Sequence, residues 1–156
     1  MPLLSDEQVA FLEGPNSIIV GTQDGRLIPA CSRALALRCQ PGGDRVTVWL
    51  PTGVAARALQ HLAADPRIAV AVNRPSTHET WQLKGRALAV RPAPDEQRPS
   101  LDRAFQAFIE ECGQVGTPRR LLDRVVLWPA MEVTVQTIEV FQQTPGPGAG
   151  EPLPAR

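Results

Sequence analysis

The chain has few of the residues that build metal centres or disulfide frameworks. Its 156 residues include three cysteines and two histidines. Cys31, Cys39 and Cys112 are odd in number and form no C-x-x-C pair, which argues against both a disulfide framework and a zinc site. We therefore expect a metal-free protein of a reducing compartment, the cytoplasm. The cysteines are expected to be small buried apolar groups, although the reactivity of Cys31 stays open.

The chain also lacks a charge excess and long apolar runs. Sixteen basic residues balance sixteen acidic ones, so no net field draws the chain to nucleic acid or to a membrane. No apolar run approaches the roughly 20 residues that a membrane helix needs. The first residues lack a basic region followed by a long apolar core, so we expect no signal peptide.

Short apolar strands separated by turn residues predict an antiparallel sheet or barrel. We expect six strands, at residues 16–23, 26–38, 45–50, 68–72, 80–90 and 131–142. Asp24-Gly25 is a hairpin signal between the first two strands, because both residues tolerate positive φ. A capping box at Ser5 and Gln8 predicts a helix near the start of the chain. Residues 1–143 therefore read as one domain with flanking helices.

The composition changes after this domain. Residues 144–156 are rich in proline and glycine and cannot pack a core of their own, so composition predicts a disordered tail. An extended arm on the same or a neighbouring subunit is the alternative, because proline lowers the entropy that is lost on docking.

The turn after the third strand carries the best candidate for an anion site. Thr52 is a suitable N-cap for a helix at residues 54–64, and a helix start offers free N–H groups and a partial positive charge. Arg57, one turn further on, adds a forked donor for phosphate oxygens. The alternative is an ordinary strand–helix connection with a surface arginine.

Three other side chains carry open alternatives. Arg33 is unusual in an apolar strand, and it is either a partly exposed barrel position or a second phosphate or substrate contact. Trp81 lies in a strand next to a polar loop and is either a core residue or a contact for a ring-shaped ligand. His61 is expected to face solvent from its helix, and no arrangement of nucleophile and base identifies a catalytic residue.

Four segments together resemble the FMN-binding split β-barrel family typified by pyridoxamine 5′-phosphate oxidase. They are residues 19–26, the strand with Arg33, residues 52–66 and residues 82–87. In that family the helix after the third strand begins Thr-Asn-x-x-Ser-Arg-Lys and continues to Leu-x-x-Asn-Pro. Aligned on Leu-x-x-Asp-Pro, Thr52 and Arg57 keep the threonine and the arginine, whereas Ala56 and Ala58 replace the serine and the lysine.

The resemblance implies a six-stranded antiparallel Greek-key split barrel that forms a homodimer, with two ligand sites in the clefts between subunits. It implies binding of FMN, or of a related deazaflavin, for a redox reaction on an unidentified small molecule. The residues that it assigns to the phosphate are Thr52, Gly53 and Arg57, with Arg33 as a second cationic contact. Those assigned to the ring edge are Thr80, Trp81 and Gln82.

The missing serine and lysine favour a different class of function. In that alternative, the chain is a flavin-free split-barrel module that binds or senses haem or another planar ligand. Thr52 and Arg57 argue against it, because both residue types contact flavin phosphate in the oxidase.

Overall fold

The structure is a computed structural model that describes residues 4–153. The first residues of the predicted domain, 1–3, and the last residues of the predicted tail, 154–156, lie outside the described residues. Within residues 4–153 the strands are β1 (Ser17–Gln23), β2 (Pro29–Ala34), β3 (Leu37–Cys39), β4 (Arg45–Pro51), β5 (Arg67–Asn73), β6 (Thr80–Pro92) and β7 (Ala130–Gln142). The α-helices are α1 (Asp6–Leu12), α2 (Thr52–Ala64), α3 (Arg98–Gln114) and α4 (Arg119–Leu122).

The strands form one antiparallel sheet in the order β2-β1-β5-β6-β7-β4-β3. The predicted antiparallel barrel is confirmed, but the described part of the chain has seven strands, not six. The predicted strand 26–38 divides because Leu35 N–H donates to the Trp49 carbonyl (2.8 Å) while Trp49 N–H donates to the Ala36 carbonyl (3.3 Å). Leu35 and Ala36 thus lie opposite the single residue Trp49, which is the pattern of a β-bulge. These bonds join β2 to β4 and close the sheet.

The barrel interior is filled by alternate residues of the strands. In β1 and β5 every second residue is buried, because successive side chains of a strand point to opposite faces. Val20, Val48, Val70 and Val133 are fully buried in this core. Burial of such side chains stabilises the fold by about 1.5–3 kcal/mol each.

A second apolar cluster lies outside the barrel, beneath α3. Trp49 points outward from β4 and packs with Leu35 and Ala36 at the bulge and with Phe105 and Phe108 of α3. The Trp49 indole N–H donates to the Gln97 side chain (2.7 Å), so the polar atom of this buried ring has a partner. Helix α3 therefore covers the outer side of the β2–β4 junction.

The tail folds back onto β7, so the expected disorder is wrong for residues 144–153. Phe141 pairs with Pro152, and Leu153 N–H donates to the Val140 carbonyl (2.8 Å). The tail docks because β7 has an open edge after Gln136, where its pairing with β4 ends. Unpaired strand edges expose N–H and C=O groups, and the tail covers these as an arm on its own subunit. Leu153 also packs against the interior core.

Helix α1 begins as predicted, with Ser5 and Gln8 forming both bonds of the capping box. Among residues 4–153 no helix is both long and apolar enough to cross a membrane.

Candidate functional site

Helix α2 begins directly at the end of β4. The predicted N-cap role of Thr52 is wrong, because Pro51 is the N-cap and Thr52 is the first helical residue. Both the backbone N–H and the hydroxyl of Thr52 donate to the Pro129 carbonyl, at 2.9 and 3.0 Å. The hydroxyl therefore anchors the helix start to the segment before β7.

The next residues of α2 leave donors free. Gly53, Val54 and Arg57 are exposed. No hydrogen bond or ion pair within residues 4–153 uses the Gly53 or Val54 amide or the Arg57 guanidinium. A Cβ placed at Gly53 meets no atom within 4 Å, so the flank of the helix at this residue is open. Free amides at a helix start attract anions.

Arg33 lies near the end of β2, next to the bulge at Leu35 and Ala36. Its Nη1 donates to the Ser17 hydroxyl (3.1 Å), and its guanidinium carbon lies 4.9 Å from the centroid of the Phe108 ring. Burial lowers the pKa of the Arg33 guanidinium, because the charged form loses hydration.

A strip of polar side chains continues from Arg33 across the outer face of the sheet. Arg33 pairs with Ile19, Ile19 with Ala71, and Ala71 with Gln82. Paired residues on neighbouring strands share a face, so Arg33 and Gln82 are three strand spacings apart, about 14 Å. We call this outer surface the polar strip. It consists of one row with Arg33, Ile19, Ala71 and Gln82 and an adjacent row with Ser17, Asn73 and Thr80.

Thr80 belongs to the polar strip, but Trp81 does not. The Asn73 amide donates to the Thr80 hydroxyl (2.7 Å), and Asn73 pairs with Ser17, the partner of Arg33. Trp81 points the other way, pairs with Val72 and packs against the interior core. The structure therefore places Arg33, Thr80 and Gln82 on one face and separates Trp81 from them.

His61 is buried, contrary to the expectation that it faces solvent. Its Nδ1 lies 3.2 Å from the Thr22 hydroxyl, and its exposed fraction is 8%. The signal was in the helical periodicity, because Ala55, Ala58 and Leu62 are the buried positions of α2 and position 61 lies beside them. The pair is a polar contact between α2 and the barrel that sequence analysis missed.

The cysteines differ in environment. Burial, followed by the nearby Glu13 carboxylate, raises the pKa of the Cys39 thiol to about 12. Burial also raises the pKa of Cys112, whereas Cys31 is exposed. Within residues 4–153 no three His, Cys, Asp or Glu side chains are placed to hold a metal ion.

An antiparallel barrel whose second strand divides at a bulge, with one helix inserted after β4, defines a split-barrel protein. A sequence model described as pyridoxamine 5′-phosphate oxidase matches residues 4–138. The chain therefore belongs to the pyridoxamine 5′-phosphate oxidase family.

Solved structures agree on the fold. An F420 reductase is 13% identical with a TM-score of 0.61, and the match covers 88% of this chain and 98% of that one. HupZ of Group A Streptococcus is 13% identical with a TM-score of 0.57, covering 94% and 99%. A candidate pyridoxamine 5′-phosphate oxidase of Lactobacillus delbrueckii is 15% identical with a TM-score of 0.56, covering 88% and 93%. At these identities the likeness concerns the fold alone. A search of curated proteins gave no match.

Proposed function

We propose that the chain binds FMN, or a related deazaflavin, for a redox reaction on a small molecule. The observation that carries this proposal is the start of α2. Gly53, Val54 and Arg57 are exposed residues of the first turns of the helix, and within residues 4–153 neither the two amides nor the guanidinium has a hydrogen-bond partner. Amides at a helix start and a forked cation are the donors that suit a phosphate group. Family membership supports flavin as the molecule that carries this phosphate.

The phosphate site proposed here is smaller than the oxidase motif implies. Ala56 is exposed beside Arg57, so a hydroxyl could be restored at that position. Ala58 is buried against the barrel, so the position aligned with the oxidase lysine does not face the helix start. We assign the phosphate to Gly53, Val54 and Arg57, with Arg33 as the second cation.

The polar strip suits the ring of the cofactor. Thr80 and Gln82 present polar atoms there, while Ile19, Ala71 and Phe141 are half-buried apolar neighbours. When bound, the flavin supplies the hydride chemistry, and the chain binds and orients it. The strip holds no carboxylate or histidine to act as acid or base, so we assign no catalytic residue.

We further propose that a homodimer completes the site. In one chain about 14 Å of sheet separates Arg33 from Gln82, which is farther than one side-chain contact spans. The half-buried apolar residues of the strip are suited to a subunit boundary. A second copy that faces the strip encloses the cofactor between the two chains.

A flavin-free binding module for haem or another planar ligand is the second candidate. The specific observation in its favour is that one predicted phosphate donor is already used. The Thr52 hydroxyl donates to the Pro129 carbonyl.

The absorption spectrum of the purified full chain tests the two candidates. Bands near ~370 and ~450 nm identify bound flavin. Protein purified without cofactor is then titrated with FMN, with haem and, because one structural neighbour is named an F420 reductase, with F420. Saturable uptake of FMN or F420 supports the first candidate. Uptake of haem alone supports the second, and rejects the first.

A further inference from the structure

One cavity, of about 620 Å³, opens on the outer face of the sheet across β1, β5 and β6. Residues 29–31 of β2 form one rim, and Ile138 and Glu139 of β7 form the other. Neither the start of α2 nor any residue named in the polar strip lines it. The volume lies within the range of small-molecule sites, about 300–1,000 Å³. We call it the lower pocket.

The lower pocket is open because its floor lacks side chains. Gly21 and Ala69 pair directly in the middle of the floor, and a Cβ at Gly21 would meet no atom within 4 Å. Gly85 is required by the backbone, since a Cβ there would overlap the Gln136 carbonyl. The β6–β7 register shifts at this glycine and turns Ile138 outward, to 57% exposure, at the rim.

The lining of the lower pocket is cationic. Lys84 and Arg86 are two apart on β6 and share its outer face, and Arg67 pairs directly with Arg86. Arg67 is bound to Asp65 at 2.6 Å, but the Arg86 guanidinium makes no hydrogen bond or ion pair within residues 4–153. Like charges placed directly opposite on neighbouring strands are destabilising, so a bound anion relieves this arrangement.

The Asp65 carboxylate cancels the charge of Arg67, and Glu139 is the one carboxylate among the lining residues. Glu139 pairs with Lys84 across the β6–β7 ladder, yet the two side chains form no ion pair. The Lys84 ammonium instead lies 4.5 Å from the centroid of the Phe141 ring. Beside the neutralised Arg67, two cations, Lys84 and Arg86, and one carboxylate therefore line the lower pocket, which leaves a net positive charge.

We propose that the lower pocket binds a small organic anion, a carboxylate or phosphate group on a compact apolar body. Arg86 and Lys84 hold the oxyanion, because charge-assisted hydrogen bonds are the strongest that side chains make. The apolar body lies on Gly21 and Ala69, between Pro29 and Ile138. This site does not depend on flavin binding at the start of α2.

Calorimetric titration of the full chain with benzoate and phenyl phosphate tests the proposal, with benzyl alcohol as the neutral control. We expect saturable binding of at least one anion, weakened by added salt. Arg86→Gln is expected to weaken binding about tenfold or more. Gly21→Val is expected to abolish it by filling the floor with a residue that strands favour. Arg120→Gln removes an exposed charge of α4 and is expected to change nothing.

Thermal unfolding checks that each variant is folded, and an FMN titration of Arg86→Gln keeps the two proposals separate. Failure of the wild-type chain to bind either anion overturns the lower-pocket proposal, and so does equal affinity of the wild-type chain and Arg86→Gln. If neither anion binds and Gly21→Val dissociates a dimer in sedimentation, this face is an interface between copies and the proposal is wrong.

Discussion

The guanidinium carbon of Arg33 lies 4.9 Å from the centroid of the Phe108 ring, and one N–H of the group bonds to Ser17. An arginine has five N–H donors, so most of the hydrogen-bonding capacity of this half-buried cation is unused by residues 4–153. Burial lowers its pKa, which means that the folded chain holds the charge at a cost. Proteins commonly tolerate such a cost where a ligand supplies the missing charge.

Arg33→Met separates a binding role from a structural one. The substitution removes a costly charge and a cation–π contact, so we expect the free energy of unfolding to change by less than about 1 kcal/mol. We expect FMN affinity to fall by about 1.5–3 kcal/mol. Urea unfolding and FMN titration measure the two quantities. Loss of stability with unchanged FMN affinity would show that Arg33 is structural.

Ala56→Ser restores the hydroxyl of the oxidase motif at an exposed position of α2. Positions 53, 56 and 57 share one helix face, so the new hydroxyl lies beside the proposed phosphate. We expect FMN binding to become tighter by about 0.5–1.5 kcal/mol. The matched control is Ala63→Ser, exposed at the far end of the same helix. Equal affinities of both variants and the wild-type chain would place the phosphate elsewhere.

The contact between Thr22 and His61 is predicted to stabilise the packing of α2 on the barrel. Both residues are buried, so His61→Ala or Thr22→Val leaves a polar atom unpaired and is expected to cost about 1–3 kcal/mol. The double variant is expected to cost less than the sum, with a coupling of about 0.5–1.5 kcal/mol. Urea unfolding measures all three, with the exposed Gln60→Ala as control. Strict additivity would contradict a direct contact.

The tail is predicted to contribute to stability. Leu153→Ala removes apolar atoms that pack against the interior core, at an expected cost of about 1–2 kcal/mol. A chain that ends at Gln143 also exposes the edge of β7 and is expected to lose more. Ala149→Ser, exposed in the same segment, is the control. If the shortened chain unfolds at the same urea concentration as the full one, the tail does not dock in solution.

The sheet was predictable because its signals are local. Alternating apolar residues indicate where strands run, and the capping box at Ser5 fixes the first helix. The predicted turn at Asp24-Gly25 is wrong in detail, because the connection spans residues 24–28 and the residue with positive φ is Leu27. The division of residues 26–38 was not predictable, because it depends on Trp49, which is distant in sequence and bonds to both Leu35 and Ala36. The docking of residues 144–153 likewise depends on an edge that β4 leaves free.

The candidate site was predictable only in part. Motif spacing could indicate Arg57, whose environment is the exposed helix start. Motif spacing could not indicate that Thr52 bonds to Pro129 or that Trp81 points into the barrel. Both contacts depend on how β4, β6 and β7 pack. The burial of His61 does not follow from its polarity. It follows from its position beside Ala58 and Leu62 on the buried face of α2.

The most direct test of the flavin proposal is an FMN titration of the full chain, followed by flavin fluorescence, for the wild-type protein and Arg57→Ala. Arg57 is exposed and unpaired within residues 4–153, so its removal leaves the fold intact, and Arg120→Ala controls for loss of one surface charge. We predict saturable binding by the wild-type chain, weakened by about 1.5–3 kcal/mol in Arg57→Ala and unchanged in Arg120→Ala. Equal affinity in all three proteins, or no FMN binding by the wild-type chain, would contradict the account.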